Sequence, residues 1–191
     1  MIGSRATNLD ELRALVASGK RQRFVFFWSH KPKRPDSLGA ECFSQWYAAP
    51  FEEDGVRYPT SEHYMMAEKA RLFGDHENRQ RILCAGSPGA AKALGRRVRG
   101  FREDVWSKHR NRIVVAANLA KFSQNSDLGA YLTGTKARVL AEASPTDRIW
   151  GIGLAASDPK AENPLRWRGI NLLGFALMGV RELLEATNAA L

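Results

Sequence analysis

A predicted helix over residues 60–73 carries a carboxylate and an ammonium group on one face. The face is built from residues at positions i, i+4, i+7 and i+11, which are Glu62, Met66, Lys69 and Phe73. Glu62 and Lys69 lie about 10 Å apart along the helix axis, too far for an ion pair but suited to holding two parts of one ligand. Glu62 is also in the first turn, where the helix dipole favours an ionised carboxylate. The alternative is a simple N-terminal charge at Glu62 and a solvated Lys69.

A second stretch that could carry chemistry is residues 147–153. It combines the carboxylate of Asp147, the indole of Trp150 and the glycines Gly151 and Gly153 in a segment with little regular structure. Glycines let backbone amides approach phosphates or sugar oxygens closely, and a tryptophan stacks well on a base or sugar. The pattern therefore predicts a loop that wraps a ligand. An Asx-type turn with a buried tryptophan is the alternative.

A basic segment lies between these two stretches. Residues 81–112 contain nine Lys or Arg residues against only Glu103 and Asp104, in a chain whose formal net charge is +9. Such a cluster raises the local concentration of anions, which points to phosphates, nucleotides or nucleic acid as partners. Trp106 lies inside this segment, either as a platform for a ligand or, as is common for large aromatics at helical spacing, in the core. The alternative for the cluster is a solvated helix face.

The composition limits the class of protein. A chain of 191 residues, 44% of them hydrophobic, is long enough to bury a substantial core and is expected to form one domain. It has no apolar run of bilayer length and no start typical of a signal peptide, so a soluble, cytoplasmic protein without membrane partners is expected. Cys42 and Cys84 are predicted to be reduced structural thiols, and the histidine spacing predicts no protein-ligated metal. No cofactor is predicted.

The elements that must position these residues are mostly helices. Capping residues and apolar periodicity predict helices at residues 8–18, 60–73, 75–84, 87 onward, 103–124, 127–132 and 171–186. In the last helix the predicted buried stripe comprises Leu172, Phe175, Ala176, Gly179 and Leu183.

Strands are few. Residues 23–28 form a β-branched and aromatic run typical of a buried strand, and residues 139–141 predict a second short one. Residues 43–59 predict irregular structure or a short hairpin that turns at Asp54-Gly55, and residues 31–35 predict an exposed basic loop. The predicted fold class is therefore α+β, mainly helical, in a single domain with a few short strands.

The chain resembles the NADAR family, also called YbiA-like, from Phe24 to about Leu184. The likeness is carried by ordered motifs over most of the chain, which are far more specific together than any one alone. They are Tyr58-Pro-Thr-Ser-Glu-His-Tyr64, Ala67-Glu-Lys69, Trp106, Ala120-Lys-Phe122, Leu140, Asp147-Arg-Ile-Trp-Gly-Ile-Gly153 and Gly169-Ile-Asn-Leu-Leu-Gly174.

The resemblance implies a YbiA-like N-glycosidase domain at residues 21–191, onto which an N-terminal helix at residues 1–20 packs. It implies catalytic roles for Glu62, Trp106 and Asp147. The residues predicted to bind substrate are Lys69, Phe43, Gln45, Trp150, Gly151, Asn171 and Arg102. Among them, Lys69 and Arg102 are expected to hold phosphates, because their positive charges pair well with phosphate oxygens. The family's Phe-Ser-Asn-Phe turn reads Phe43-Ser44-Gln45-Trp46 here. The contact usually made by that asparagine is therefore expected to be longer, shifted or absent.

The activity implied is hydrolysis of the N-glycosidic bond between ribose and a base in a phosphorylated substrate. That substrate is either ADP-ribose linked to guanine in a nucleotide, DNA or RNA, or an early intermediate of riboflavin biosynthesis. Cleavage passes through an oxocarbenium-like state, so we expect Glu62 and Asp147 to act on one sugar, in either assignment of charge stabiliser and general base. The alternative function is a non-catalytic basic module that binds nucleic acid or nucleotides.

Overall fold

The chain folds mainly into helices, as predicted for an α+β protein. A computed structural model describes residues 6–32 and 37–189, and within them the chain forms seven α-helices and four short β-strands. The helices span Leu9–Ala17 (α1), Ser61–Leu72 (α2), His76–Leu83 (α3), Pro88–Gly95 (α4), Glu103–Gln124 (α5), Ser126–Thr133 (α6) and Leu172–Ala189 (α7).

The four strands form two separate pairs. Phe24–Phe27 (β1) pairs in parallel with Val139–Glu142 (β4), whereas Phe51–Glu53 (β2) and Val56–Tyr58 (β3) form an antiparallel hairpin. The hairpin turns at Asp54 and Gly55, whose positive φ angles of 51° and 72° are those that an Asp-Gly turn accommodates. The predicted positions of both strands and the predicted hairpin are confirmed. The first strand is not the buried strand that was predicted, since Phe24, Val25 and Phe26 are only partly buried.

Capping residues fix the helix starts where the sequence predicted them. Asn8 accepts a hydrogen bond from the Glu11 amide at 3.0 Å, and Ser87 accepts one from the Ala90 amide at 3.2 Å. Each side-chain oxygen satisfies one of the amides that a helix start leaves without a partner. Since these contacts span only three residues, they are readable from the sequence.

The chain divides into two compact units. The terminal unit comprises the residues up to Ser44 and those from Gly129 onward. Its core is aromatic: the Phe43 ring lies 5.5 Å from Phe27 and 5.4 Å from Tyr131, centroid to centroid. Helix α1 is tied into this unit by Arg13, whose Nε donates to the Pro164 carbonyl at 3.2 Å.

The central unit comprises Gln45–Leu128. Helix α2 is almost wholly buried and packs against α3, α4 and α5. The approach of α4 is close, because a Cβ at Gly95 would overlap the Met66 side chain. Helix α2 is therefore held on several sides, which fixes the orientation of the polar residues that it carries.

Three predictions need correction or lie outside the described residues. The predicted stripe of α7 is wrong at Leu183, which is exposed, because the buried part of α7 is its first half, from Leu173 to Arg181. Cys84 is exposed and free, so it is not a core thiol. The predicted loop at residues 31–35 lies partly outside the described residues. Among the helices that the structure describes, none combines the length and hydrophobicity needed to cross a bilayer.

Candidate active site

Glu62 is a buried carboxylate in the first turn of α2. Only 2% of the residue is exposed, and its backbone amide donates to the Gln45 carbonyl at 3.0 Å. The cap of the helix is Thr60, which accepts from the His63 amide, and His63 in turn contacts the Ala85 carbonyl through Nε2 at 3.0 Å. The Glu62 carboxylate is thus not the group that closes the first turn, and the helix N-terminus favours its negative charge.

Gln45 links the start of α2 to α5. Its carbonyl receives the Glu62 amide, and its side-chain Nε2 donates to Asn118 Oδ1 at 3.1 Å. Asn118 completes the chain of contacts by donating to the Val114 carbonyl at 2.8 Å. The Oε1 atom of Gln45 is buried and accepts no hydrogen bond from the described residues. A buried amide oxygen without a donor is costly, so it is available for a ligand's donor group.

Lys69 lies two turns after Glu62, against aromatic rings. Its Nζ is 4.0 Å from the ring centroid of Phe101 and 5.6 Å from that of Trp106. Both distances allow a cation–π interaction. Burial lowers the pKa of Lys69 below its ordinary value, and the nearby Glu103 partly opposes the shift. The predicted face of α2 thus carries a half-buried ammonium group as well as the buried carboxylate.

Trp106 is buried, with 7% of its surface exposed. It belongs to the face of α5 that also includes Ile113 and Ala117, which confirms the predicted periodicity. The Lys69 Nζ lies 5.6 Å from its ring centroid. The indole therefore packs beside the Lys69 ammonium and exposes little of its own surface for stacking. Its predicted catalytic role stays a prediction.

The basic segment is partly neutralised by carboxylates of the same unit. Arg99 pairs with Asp75 at 2.8 Å and holds the pKa of that carboxyl below its ordinary value. Arg102, predicted to bind phosphate, pairs with Asp104 at 2.7 Å on the surface. Exposed pairs of this kind are weak, so Arg102 can exchange its partner for a phosphate at low cost.

In the terminal unit, Asp147 closes a turn. Its Oδ1 accepts hydrogen bonds from the Ile149 amide at 2.8 Å and the Trp150 amide at 2.7 Å, and its own amide donates to Ser144 Oγ. This is the Asx-type turn that the sequence allowed as the alternative to a ligand loop. Trp150 is half-buried behind it. Part of the Asp147 carboxylate is therefore engaged in holding residues 147–150.

Position 151 requires glycine because backbone atoms pack closely around it. A Cβ there would lie 2.8 Å from the Glu142 carbonyl oxygen and 3.1 Å from that of Asp147. The Gly151 carbonyl accepts from the Asn171 amide at 3.1 Å. Close packing of the loop onto β4 thus accounts for this glycine without a ligand.

Asn171 and Phe43 have structural surroundings that the sequence did not predict. The Asn171 side chain is fully buried, accepts from the Glu142 amide at 3.0 Å and donates to the Leu140 carbonyl at 2.9 Å. Phe43 is fully buried among aromatic rings. As described, both residues position the backbone of the terminal unit, and direct substrate contact by either would require a rearrangement.

The sequence pattern of the NADAR domain matches residues 26–185 of the chain. The chain belongs to the NADAR family. An N-glycosidase of Acanthamoeba polyphaga mimivirus is 42% identical over 165 residues, which cover 84% of this chain and 95% of the viral protein. The N-glycosidase YbiA of Escherichia coli is 35% identical over 143 residues, covering 74% and 80% of the two chains.

The NADAR fold is confirmed by a solved relative. The NMR structure of YbiA from E. coli superposes with a TM-score of 0.69 at 30% identity, covering 88% of this chain and 89% of that one. Membership of the family, with N-glycosidases as relatives over most of the length, makes the chain a hydrolase acting on N-glycosyl compounds. The predicted family, fold and class of enzyme are therefore confirmed.

Three buried polar residues to which the sequence analysis assigned no role lie beside Glu62 or in α5. His63 is buried beside Glu62 and links the cap of α2 to Ala85. Asn118 is buried and bonded to Gln45, and Lys121 is fully buried one turn later, with Nζ 5.5 Å from the Tyr47 ring. The signal was a pair of polar residues, Asn118 and Lys121, one turn apart among buried residues of α5 that are otherwise apolar.

Proposed function

We propose that this NADAR protein hydrolyses the bond between C1′ of a ribose and a nitrogen of a base in a phosphorylated substrate. The observation that carries the proposal is the buried carboxylate of Glu62 at the start of α2, in a unit that also supplies the half-buried ammonium of Lys69. A buried carboxylate and a nearby cation suit a substrate that develops positive charge on its sugar and carries negative charge on its phosphate.

The proposed chemistry needs a negative group close to the sugar. As the C1′–N bond breaks, its electron pair leaves with the base and the ribose gains oxocarbenium character. A carboxylate in a water-poor site stabilises that charge far better than it would in water. We assign this role to Glu62. Water then adds to C1′ and loses one proton, and the nitrogen of the departed base takes up one proton. The C1′–N bond and one O–H bond are thus replaced by a C1′–O bond and an N–H bond, with no net change in protons.

The family resemblance alone assigns Asp147, in the terminal unit, a supporting role in the reaction. Its Oδ1 already accepts two backbone amides, so its first effect is to fix the loop that carries Trp150. A carboxylate held in this way keeps a second oxygen with which to orient water. The assignment makes Glu62 the charge stabiliser and Asp147 the residue that orients water through a rigid loop.

Lys69 and the basic segment are proposed to bind the phosphates. The Lys69 ammonium is held against Phe101 and Trp106, which limits its motion. Arg102 is exposed and its present partner, Asp104, is a surface residue. Cations at two positions, one held against aromatic rings and one exposed, match a substrate with more than one phosphate oxygen to neutralise.

Two substrate classes fit this description: guanine-linked ADP-ribose, in a nucleotide or in DNA or RNA, and early riboflavin-biosynthesis intermediates. Incubation with each, followed by mass spectrometry, separates them. Free ADP-ribose with restored guanine identifies the first class, and free ribose 5-phosphate with released pyrimidine identifies the second. Absence of any released base from both would contradict the proposal. The N-glycosidase relatives favour this enzyme over the non-catalytic nucleic-acid-binding module.

A further inference from the structure

Two oppositely charged side chains reach toward each other along one face of α5, in the central unit. Glu103, Trp106 and Arg110 are at positions i, i+3 and i+7 and therefore share that face. The Arg110 guanidinium donates a hydrogen bond from Nη1 to Glu103 Oε1 at 3.3 Å. The pair thus spans two turns of the helix, with Trp106 between its members in the chain.

The Arg110 guanidinium is largely buried and incompletely paired. Only 14% of the side chain is exposed, and Nε is buried without a hydrogen-bond partner among the residues that the structure describes. The contact with Glu103 is also longer than the roughly 2.7–2.9 Å of a strong charge-assisted hydrogen bond. A guanidinium has five N–H donors, and a desolvated cation with so few acceptors is costly. An anion with several oxygens would pair it more fully.

Glu103 forms its side of this pair weakly. Its side chain is 64% exposed, so the carboxylate approaches the guanidinium from the solvent side. Ion pairs on a helix are most favourable between residues three or four positions apart, whereas a pair seven apart needs both side chains extended. Such a carboxylate loses rotamer freedom and is screened by salt, so the pair contributes little to stability. Another anion can therefore replace it at low cost.

The same carboxylate also acts on Lys69. The Lys69 Nζ lies 5.6 Å from the ring centroid of Trp106, which is one helical turn from Arg110. Glu103 raises the pKa of Lys69 and so partly opposes the lowering by burial. One exposed carboxylate thus interacts with two cations that are partly or largely buried. This is the charge pattern of an anion site in which an internal carboxylate stands in for the ligand.

We propose that Lys69 and Arg110 form one phosphate site, which the Glu103 carboxylate occupies in the free protein and leaves when a phosphorylated ligand binds. Arg110 is thereby added to the binding residues, and Glu103 becomes an internal competitor. A phosphate group fits better than a carboxylate, because it has more oxygens with which to accept from both cations at once. The inference rests on the proposed function, since it assigns residues to the phosphate of that substrate.

The test measures the binding of inorganic pyrophosphate to the intact protein by isothermal titration calorimetry at constant ionic strength. Glu103→Gln removes the competing charge and is expected to tighten binding by about 3- to 10-fold. Glu77→Gln is the matched control, because it removes a carboxylate of similar exposure from the same unit and leaves Arg99 paired with Asp75. If Glu103→Gln binds pyrophosphate no more tightly than Glu77→Gln does, the proposal is overturned.

A second pair of variants assigns the cation. Arg110→Gln is expected to weaken pyrophosphate binding by about 10- to 100-fold, the usual effect of losing charge-assisted hydrogen bonds. Arg112→Gln, at an exposed arginine of α5, removes the same charge and should have a much smaller effect. In the double variant, Glu103→Gln should tighten binding less than it does alone, because only Lys69 is then released.

Unchanged pyrophosphate affinity in folded Arg110→Gln also overturns the proposal. If that variant does not fold, Glu103→Gln still decides, because it changes an exposed side chain. Pyrophosphate has no N-glycosidic bond, so this test and that of the hydrolysis can fail separately. Binding that responds to Glu103 and Arg110, with no base released from any substrate, supports the anion site and contradicts the hydrolysis. Base release with a pyrophosphate affinity that neither substitution changes does the reverse.

Discussion

The start of α2 and the loop at residues 147–150 each present a carboxylate beside a local turn, and the two regions use it differently. At α2, Thr60 closes the turn, so closing it does not require the Glu62 carboxylate. In the loop, Asp147 itself closes the turn by accepting two backbone amides. When a separate residue caps the turn, the carboxylate can be replaced without loss of the capping hydrogen bond. When the carboxylate itself accepts the capping hydrogen bonds, replacing it also destabilises the loop.

The same contrast extends to the residues around each carboxylate. Glu62 shares its unit with Gln45, whose buried Oε1 lacks a donor among the described residues, and with Lys69, whose pKa is lowered by burial. Beside Asp147, the amide of Asn171 is fully engaged with the backbone of β4. Buried polar atoms without a hydrogen-bond partner and groups with a shifted pKa are typical of catalytic or binding sites. Polar side chains with all their hydrogen bonds formed within the protein are typical of structural positions.

The largest expected effect is that of Glu62→Gln on turnover. The substitution keeps the shape of the side chain and removes the charge proposed to stabilise the sugar, so we expect kcat to fall by about 10²- to 10⁴-fold. Circular dichroism and thermal unfolding should show a folded protein. Glu77→Gln, at an exposed carboxylate of the same unit, is the control and should retain full activity. Turnover at the unaltered rate by Glu62→Gln would remove Glu62 from the mechanism.

Asn171→Ala tests the opposite side of the comparison, because its main effect should be on stability. The substitution removes both hydrogen bonds to β4 and places alanine at a φ of 55°, a conformation that it adopts only with strain. We expect the free energy of unfolding in urea to fall by about 2–4 kcal/mol. Asn171→Asp keeps the acceptor for Glu142 but puts a buried carboxylate oxygen against the Leu140 carbonyl, so it should not restore the stability. If the alanine variant is as stable as the unaltered protein, Asn171 does not support β4.

The helix starts and the hairpin turn show which features of the fold the sequence could predict. Helix starts were predictable because the caps Asn8, Thr60 and Ser87 act within three residues of themselves. The Asp54-Gly55 turn was predictable for the same reason, since its backbone angles depend on the residue types at the turn. Local physical chemistry thus determined most of the elements.

The hydrogen bonds of the candidate site residues could not be predicted, because their partners are far away in the chain and local sequence patterns do not identify them. Asn171 bonds to residues about 30 positions earlier in the chain, and Gln45 bonds to Asn118 in α5. The stripe of α7 was wrong at Leu183 because the periodicity of one helix does not show where its packing partner ends. The roles implied by family resemblance stay predictions, and the resemblance does not separate the supporting residues from those proposed to act.

Asp147 should give a smaller effect than Asn171 on stability and a smaller effect than Glu62 on turnover. Asp147→Ala removes the acceptor of two amides, so we expect a loss of about 1–2 kcal/mol in unfolding free energy. Asp147→Asn keeps an acceptor oxygen for the turn and removes the charge, and we expect near-normal stability with kcat about 10-fold lower. A loss of turnover in Asp147→Asn equal to that in Glu62→Gln would show that the two carboxylates contribute alike and would break the comparison.

The smallest expected effect concerns Lys69 and substrate affinity. Lys69→Met keeps the apolar stem against Phe101 and Trp106 and removes the charge proposed to attract phosphate. We expect KM to rise by about 3- to 10-fold with little change in kcat, because a half-buried cation contributes to binding in the ground state and the transition state alike. Lys69→Arg, which keeps the charge, should restore most of the affinity.

The pH dependence of the same residue gives a second readout. Burial lowers the pKa of Lys69 below 10.5, so the protein loses this positive charge at a lower pH than a free lysine would. KM is therefore expected to rise with pH before 10.5 is reached, and Lys69→Met should lack that rise. Between the lowered pKa and 10.5 the unfolded chain binds more protons than the folded one, so this group makes the folded state more stable as pH rises through that window. If the KM profiles of Lys69→Met and the unaltered protein stay parallel into the alkaline range, Lys69 does not hold the phosphate.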